Sequence, residues 1–115
     1  MANPVWDGIV TYLTWVTTST NTFNIPLNTG AVTIILPDFT TDTTTALEGL
    51  DPIDKTTWRA VLAYDPAAGT SEAVVLAENA YHVIPASALG CGTFRFTNAN
   101  TQVGLKATVI FDRII

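Results

Sequence analysis

The stretch IVTYLTWVT, residues 9–17, indicates the fold class because its side chains alternate between two sets. One set is Val10, Tyr12, Thr14 and Val16, and the other is Ile9, Thr11, Leu13 and Trp15. A period of two residues is typical of a β-strand whose two faces meet different surroundings. The β-branched and aromatic side chains of this stretch also favour extended backbone. Residues 9–17 therefore predict a strand.

Seven further segments have the same extended character, each bounded by turn residues. They are 22–27, 30–37, 56–65, 72–78, 80–85, 92–98 and 102–113. Between two of them lies DPAAGTS, residues 65–71, which predicts a turn because proline presets φ and glycine accepts positive φ. Short strands at this spacing predict an all-β protein, a single β-sandwich of the jelly-roll or Ig-like kind.

The segment from residue 37 to residue 55 has no strand-like period and predicts one long loop. Its sequence, PDFTTDTTTALEGLDPIDK, places Thr and Asp in cap-like positions before ALEGL. Such residues favour a helix start, so one helical turn is expected there. A connection of this length in a small domain is usually functional or crosses between sheets.

Length and charge limit the classes of partner. The 115 residues suffice for one domain, 1–115, with residues 1–8 as a candidate N-terminal arm. The net charge is -5, with five Lys and Arg, which argues against nucleic acid and anionic membranes as partners. Charged residues make up 13%, about half the usual share. With 20 Thr, the surface is expected to be uncharged polar, buried against other chains, or both.

The chain carries no recognisable targeting segment. Residues 1–10, MANPVWDGIV, lack the basic and apolar regions of a signal peptide, and the longest apolar run is far below the roughly 20 residues that span a bilayer. We therefore expect synthesis in the host cytoplasm without export by a signal peptide.

The stretch HVIPASALGCGTFRF, residues 82–96, holds the only histidine and the only cysteine. A small hydrolase could use Cys91 as a thiolate nucleophile with His82 as its base. Ser87 lacks the G-x-S-x-G surroundings of a serine nucleophile. The favoured interpretation is a strand, a crossover and a strand, in which His82 and Cys91 have no catalytic role.

No motif predicts a cofactor or a metal centre. Structural zinc needs about four Cys or His ligands, and the chain has two such residues. Calcium stays open, because four aspartates fall in the segment 37–55 without the EF-hand pattern: Asp38, Asp42, Asp51 and Asp54.

Aromatic and loop residues supply the candidate partner contacts. Trp15 and Trp58 lie within alternating segments and are predicted to be core residues. Trp6 lies near the terminus, and Trp is enriched at interface hot spots. The predicted partner-contact residues are Val5, Trp6, Asp7, Asp38, Phe39, Leu47 and Leu50.

The C-terminal half resembles a known class of proteins. AYHVIPASALGCGTFRF, followed by a Thr/Asn turn and VGLKATVIF, is similar to small β-sandwich virion proteins of tailed bacteriophages. The residues that carry the resemblance are Ile84, Pro85, Ala86, Ser87, Leu89, Gly90, Phe94, Arg95 and Phe96. FNIPL and TTWRAVLAY look similar to earlier strands of such proteins.

This resemblance implies a structural function and no enzymatic one. Such proteins serve as capsid decoration (cement) proteins, or as neck and tail components. The expected protein is a homo-oligomer, with a trimer favoured, that binds the major capsid protein on the outer capsid surface and stabilises contacts between capsomers. The alternative is a carbohydrate-binding or host-adhesion module of a phage tail or neck, which exposed Trp and Tyr on one sheet face would favour.

Overall fold

A computed structural model describes residues 8–89 and 92–113. Within these residues the chain forms eleven strands and one helical turn. They are β1 Gly8–Thr14, β2 Phe23–Asn24, β3 Thr29–Ile35, β4 Thr44–Leu50, β5 Trp58–Ala60, β6 Leu62–Asp65, β7 Thr70–Ala73, β8 Val75–Ala77, β9 Tyr81–Pro85, α1 Ala86–Leu89, β10 Thr93–Thr97 and β11 Lys106–Arg113. The all-β prediction is confirmed.

The strands form two antiparallel sheets that face each other. The first sheet has the order β1-β11-β3-β9. The second has the order β2-β10-β4-β5, with β8 pairing on β4 beside β5. Strands β6 and β7 form a separate two-stranded ribbon. The predicted sandwich is therefore confirmed.

The strand order identifies which kind of sandwich this is. Without β6, β7 and β8, eight strands remain, and their orders in chain sequence become 1-8-3-6 and 2-7-4-5. Most consecutive strands lie in opposite sheets, and every pairing is antiparallel. This double Greek key is the jelly roll, which favours the first of the two predicted sandwich types.

Apolar side chains from the inner faces of both sheets fill the core. They are Leu13, Trp15, Phe23, Val32, Ile34, Leu36, Phe39, Leu47, Leu76, Phe94, Phe96, Ala107, Val109 and Phe111. Aromatic rings run through it, with Trp15 edge-on to Phe39 at 5.2 Å and stacked on Phe96 at 6.3 Å. Leu13 and Trp15 are core residues, so the other side of the 9–17 alternation faces outward.

The prediction of one long loop over residues 37–55 is wrong at its centre, where β4 lies. The predicted helical turn at residues 46–50 is also wrong, because that stretch is strand. Ala, Leu and Glu favour helix in isolation. Here β4 pairs with β10 on one edge and with β5 and β8 on the other, and this pairing outweighs local propensity. Thr45 and Leu47 point into the core.

The crossover predicted after Pro85 is confirmed. Strand β9 lies in the first sheet and β10 in the second, and α1 carries the chain between them. Leu89 packs against the core, while Phe94 and Phe96 share the inner face of β10.

The hairpin from β5 to β8 leaves the second sheet midway along β4. The amide of Val61 donates to the Leu47 carbonyl, and the Leu47 amide donates to the Val74 carbonyl, at 3.0 Å each. Between Val61 and Val74 the chain continues as the ribbon of β6 and β7. Every residue from 62 to 73 is exposed, so we call residues 62–73 the hairpin arm.

Candidate partner-binding surfaces

The outer face of the first sheet carries an uncharged apolar surface, which we call the tyrosine face. Its members point away from the core because they alternate with buried neighbours on their strands. They are Val10, Tyr12, Ile35, Tyr81, Val83 and Ile110. Tyr12, Tyr81 and Val83 are 63%, 65% and 62% exposed. Exposed apolar side chains gathered on one face are typical of an interaction site.

The tyrosine face is recessed between its two edge strands, β1 and β9. Tyr12 lies on β1 and Tyr81 on β9, at opposite edges of the sheet and in one cross-strand row. Three strand spacings separate them by about 14 Å. Thr108 and Ile35 lie between the two tyrosines in this row and are half-buried, and Thr33 in the neighbouring row is only 5% exposed because larger neighbours surround it. The two tyrosines therefore flank a shallow trough.

Charge lies at the two ends of the trough. Strand β11 points Lys106 outward at one end and Asp112 outward at the other, since both alternate with buried residues. The Thr33 hydroxyl donates to a carboxylate oxygen of Asp112 at 3.3 Å. The trough is thus uncharged along its middle, with a cation at one end and an anion at the other.

The two sides of the hairpin arm differ in charge. Strand pairing places Leu62 opposite Ala73 and Tyr64 opposite Ser71 on one side of the ribbon. The other side carries Ala63, Asp65, Thr70 and Glu72. One side is therefore uncharged and the other acidic.

The tip of the arm is well ordered by local hydrogen bonds. The carboxylate of Asp65 accepts from the Ala67 amide at 2.9 Å, and its carbonyl accepts from the Gly69 amide at 2.8 Å. Gly69 has φ +70°, which a residue with a Cβ adopts only with strain. The arm is thus exposed but structurally defined.

A charged cluster on the outer face of the second sheet contradicts the prediction that Trp58 is a core residue. The Arg95 guanidinium bonds Glu48 at 2.9 Å and lies 4.2 Å from the centroid of the Trp58 ring. Trp58 is half-buried on a short strand at the sheet edge, and Val61 of the same segment packs against the core instead. The predicted strand over residues 56–65 is divided, because β5 ends at Ala60 and β6 begins at Leu62 in a different sheet.

The predicted partner-contact residues fall into three groups. Val5, Trp6 and Asp7 lie outside the described residues. Phe39 and Leu47 are core side chains at 8% and 1% exposure, so packing against Trp15 and its neighbours withholds them from a partner.

Asp38 and Leu50 form the third group. Asp38 is exposed, and Leu50 is half-buried beside a cleft of about 330 Å³ that Asn24, Lys55 and Thr93 also line. Both are accessible, and their role in partner binding stays a prediction.

The His82 side chain forms a hydrogen bond within the fold. It lies on β9 on the side opposite Tyr81 and Val83, and its Nε2 is 2.9 Å from the Ala77 carbonyl oxygen. A carbonyl only accepts, so Nε2 carries the proton in this contact. Cys91 lies outside the described residues, so the Cys–His pairing stays untested.

The four aspartates considered for calcium are dispersed. Asp42 precedes β4 and Asp51 follows it, about 25 Å apart along the strand. Within residues 8–89 and 92–113, no group of three or more His, Cys, Asp or Glu is arranged to hold a metal ion. Strand formation thus removes the shared loop on which the calcium interpretation rested.

Amide donors surround Asp42. The Asn100 side chain donates to it at 2.6 Å and the Asn100 backbone at 3.1 Å, and Gln102 donates at 3.4 Å. These bonds, the Asn100 side chain first, hold the pKa of Asp42 below its usual value. Asp42 also lines a cleft of about 400 Å³ with Thr44, Thr97 and Asn98. The cluster ties the start of β4 to the β10–β11 connection.

The sequence contained signals for the tyrosine face and the hairpin arm, although it did not predict either surface. The 9–17 alternation already separated Tyr12 from Leu13 and Trp15, but which set was inward required the sheet pairing. LAYD and TSEA are short and each carries one acidic residue, which is typical of a ribbon away from the core.

Among the described residues, no helix has the length and apolar character needed to cross a membrane. No protein-family model matches the chain, and no curated protein sequence matches it. The crystal structure of the SPBc2 prophage-derived protein YomS is similar, with a TM-score of 0.59 over 96% of this chain and 97% of that chain. The two sequences are 10% identical, so the likeness is one of fold. The chain therefore shares a sandwich fold with a prophage-derived protein.

Proposed function

We propose that this protein is a structural component of a phage virion, a decoration or cement protein of the outer capsid surface. In this proposal it acts as a homo-oligomer, with a trimer favoured, and its partners are copies of itself and the major capsid protein. It is synthesised in the host cytoplasm and has no catalytic step.

The tyrosine face is the observation that carries the proposal. Tyr12, Tyr81 and Val83 are each more than three-fifths exposed on one uncharged sheet face. Protein interfaces are depleted of charge at their centre and enriched in tyrosine. An isolated monomer would leave this apolar surface in water, whereas an assembled particle covers it.

Two further observations support a virion protein. The jelly roll is an architecture of viral capsid proteins, although the fold by itself does not specify a function. A solved structure with a similar fold is that of a prophage-derived protein. Both agree with the sequence resemblance of residues 80–111 to virion proteins.

The mechanism is mechanical. Contacts with neighbouring capsomers bury apolar area, which contributes roughly 25 cal/mol per Å² before the cost of ordering. Many copies on one shell act together, so no single contact has to be strong. Asp38 and Leu50, with Val5, Trp6 and Asp7, are the residues that we expect at the contact with the shell.

The test is to delete the gene for this chain from its phage and compare the two kinds of particle. Mass spectrometry of purified parental virions is expected to detect the chain at many copies. Mutant shells are expected to release DNA at a lower temperature, and adding the purified protein should restore the parental release temperature. Absence of the chain from parental virions would rule out the proposal.

A carbohydrate-binding or host-adhesion module is the second candidate, and the same tyrosines favour it. Tyr12 and Tyr81 present exposed rings on one face, about 14 Å apart, and aromatic rings can stack on sugars. A glycan that binds the wild-type chain and is lost in both Tyr12→Ala and Tyr81→Ala would support this candidate. Failure of a broad glycan panel to bind would remove it.

A further inference from the structure

We propose that the hairpin arm of one copy lies in the trough of the tyrosine face of the next copy. The contact joins Leu62 and Tyr64 of the arm to Tyr12, Tyr81 and Val83 of the neighbouring copy. This inference rests on the homo-oligomer of the proposed function and names the surfaces that form it.

The arm has the properties of a segment that a partner covers. All twelve residues of 62–73 are exposed, including Leu62 at 57% and Tyr64 at 66%. A two-stranded ribbon alone is marginally stable in water. Its tip is nevertheless fixed by the bonds of Asp65 and by Gly69, so the arm is ordered before it docks.

The arm cannot cover the tyrosine face of its own chain. It leaves the second sheet at Val61 and Val74, beside the middle of β4. The tyrosine face is the outer surface of the first sheet, and the whole thickness of the sandwich, roughly 10 Å between sheets, lies between them. Each surface therefore needs a second chain.

The dimensions of the two surfaces match. Tyr12 and Tyr81 stand about 14 Å apart, and a ribbon of two strands spaced about 4.8 Å leaves room for its edges between them. The floor of the trough, which includes Ile35 and Thr33, receives the uncharged side of the arm, which carries Leu62 and Tyr64. The acidic side, with Glu72, then faces water.

Charge supports a second copy as the occupant. The trough ends in Lys106 on one side and Asp112 on the other. The arm bears two charges, Asp65 and Glu72, both negative. The net negative charge of the arm is complementary to Lys106, which favours the association of the two surfaces.

A contact between two different surfaces is heterologous, and such contacts propagate until they close into a ring. Each copy then donates one arm and receives one. A ring of three copies is the smallest closed form beyond a dimer and agrees with the expected trimer.

The experiment uses two variants that each lose one surface. Tyr64→Glu alters the arm and Val83→Glu alters the tyrosine face, at positions 66% and 62% exposed, so both chains should fold. Leu27→Glu, 91% exposed and part of neither surface, is the matched control. Light scattering gives the mass of each purified chain, and circular dichroism checks its fold.

Wild type and Leu27→Glu are expected to be oligomers, and each of the other two variants a 12.3 kDa monomer. Mixing Tyr64→Glu with Val83→Glu should give a complex of two chains, because one intact arm meets one intact face. A monomeric wild type or a mixture that stays monomeric would overturn the proposal. So would an oligomeric Tyr64→Glu chain, since the tyrosine faces would then pair with each other.

A second pair of variants, Leu62→Glu and Tyr81→Glu, repeats the test should either first variant lose its fold. The measurement needs no capsid, so its result is independent of shell binding. An arm-and-face oligomer that is absent from virions would end the proposed function and leave this inference standing.

Discussion

At the scale of single residues, Asn98 joins the core to the connection between β10 and β11. Its side-chain oxygen accepts from the Trp15 indole at 3.0 Å and from the Thr45 hydroxyl at 2.6 Å. Trp15 is buried, so its indole N–H depends on Asn98 for a partner, whereas the Thr45 hydroxyl also lies 3.2 Å from the Thr97 carbonyl oxygen. Among the described residues, the Asn98 Nδ2 has no hydrogen-bond partner.

Asn98→Ala is therefore expected to lower the free energy of unfolding by about 1–3 kcal/mol, because it leaves the Trp15 N–H unpaired in the core. Urea unfolding followed by tryptophan fluorescence measures the loss. Asn24→Ala is the control, since Asn24 bonds Thr93 at the exposed surface, and it should cost under about 0.5 kcal/mol. Equal losses in the two variants would contradict the role given to Asn98.

Asp54 gives a prediction for pH. Bonds from the Thr56 backbone, then from the Thr57 hydroxyl and backbone, lower the pKa of Asp54 to about 2, from an ordinary 3.8. A carboxyl whose pKa is lower in the folded state stabilises the fold above its ordinary pKa and loses that contribution as pH falls toward the folded value. The affected window is about pH 4 to pH 2.

Asp54→Asn should therefore have a lower melting temperature than wild type at pH 6. The gap between the two melting temperatures should narrow by pH 2.5. Thermal unfolding of both chains across this range measures the gap. A gap that is constant with pH would show that the Asp54 charge has no part in it.

At the scale of elements, the strands with clear alternation were predictable and β4 was not. Strands β1, β3, β9, β10 and β11 each carry apolar residues at every second position, which identifies them without a structure. Strand β4 lacks this signal because one of its inward residues is Thr45 and another is Gly49. Its pairing partners come from distant segments, and a local pattern does not encode them.

Gly49→Ala is expected to raise the free energy of unfolding by about 0.5 kcal/mol, because alanine restricts the unfolded chain. A Cβ there would lie 3.6 Å from Val61 and 3.7 Å from Phe94, which is ordinary contact. Gly69→Ala is the opposite case, because φ +70° strains any residue with a Cβ. This substitution should lower the free energy of unfolding by about 1 kcal/mol. A loss for Gly49→Ala would show that β4 does not tolerate the added methyl.

The hairpin arm is expected to be dispensable for folding. The Val74 amide donates to the Val61 carbonyl at 2.8 Å, which is the bond that closes a two-residue turn. Replacing residues 62–73 by Asn-Gly should therefore keep the sandwich, because none of those residues is buried. The melting temperature should shift by a few degrees at most, whereas self-association should be lost. Global unfolding of the shortened chain would show that the arm is required for folding.

At the scale of the whole molecule, sequence predicted the sandwich but left the kind of sandwich and its outward faces undecided. Topology settles the jelly roll because the order of strands in a sheet depends on long-range pairing. The tyrosine face is recognisable only once β1, β11, β3 and β9 are adjacent, since its members come from four separate segments. A low charge fraction of 13% was the one global sign of surfaces that meet other proteins.

We propose that this chain is a subunit of an assembled virion. Co-sedimentation tests it most directly, with purified protein titrated onto shells of its own phage that lack the chain. We expect the protein to pellet with the shells and to saturate at a fixed number of copies per shell. Protein that stays in the supernatant at every concentration would show that it does not bind the capsid.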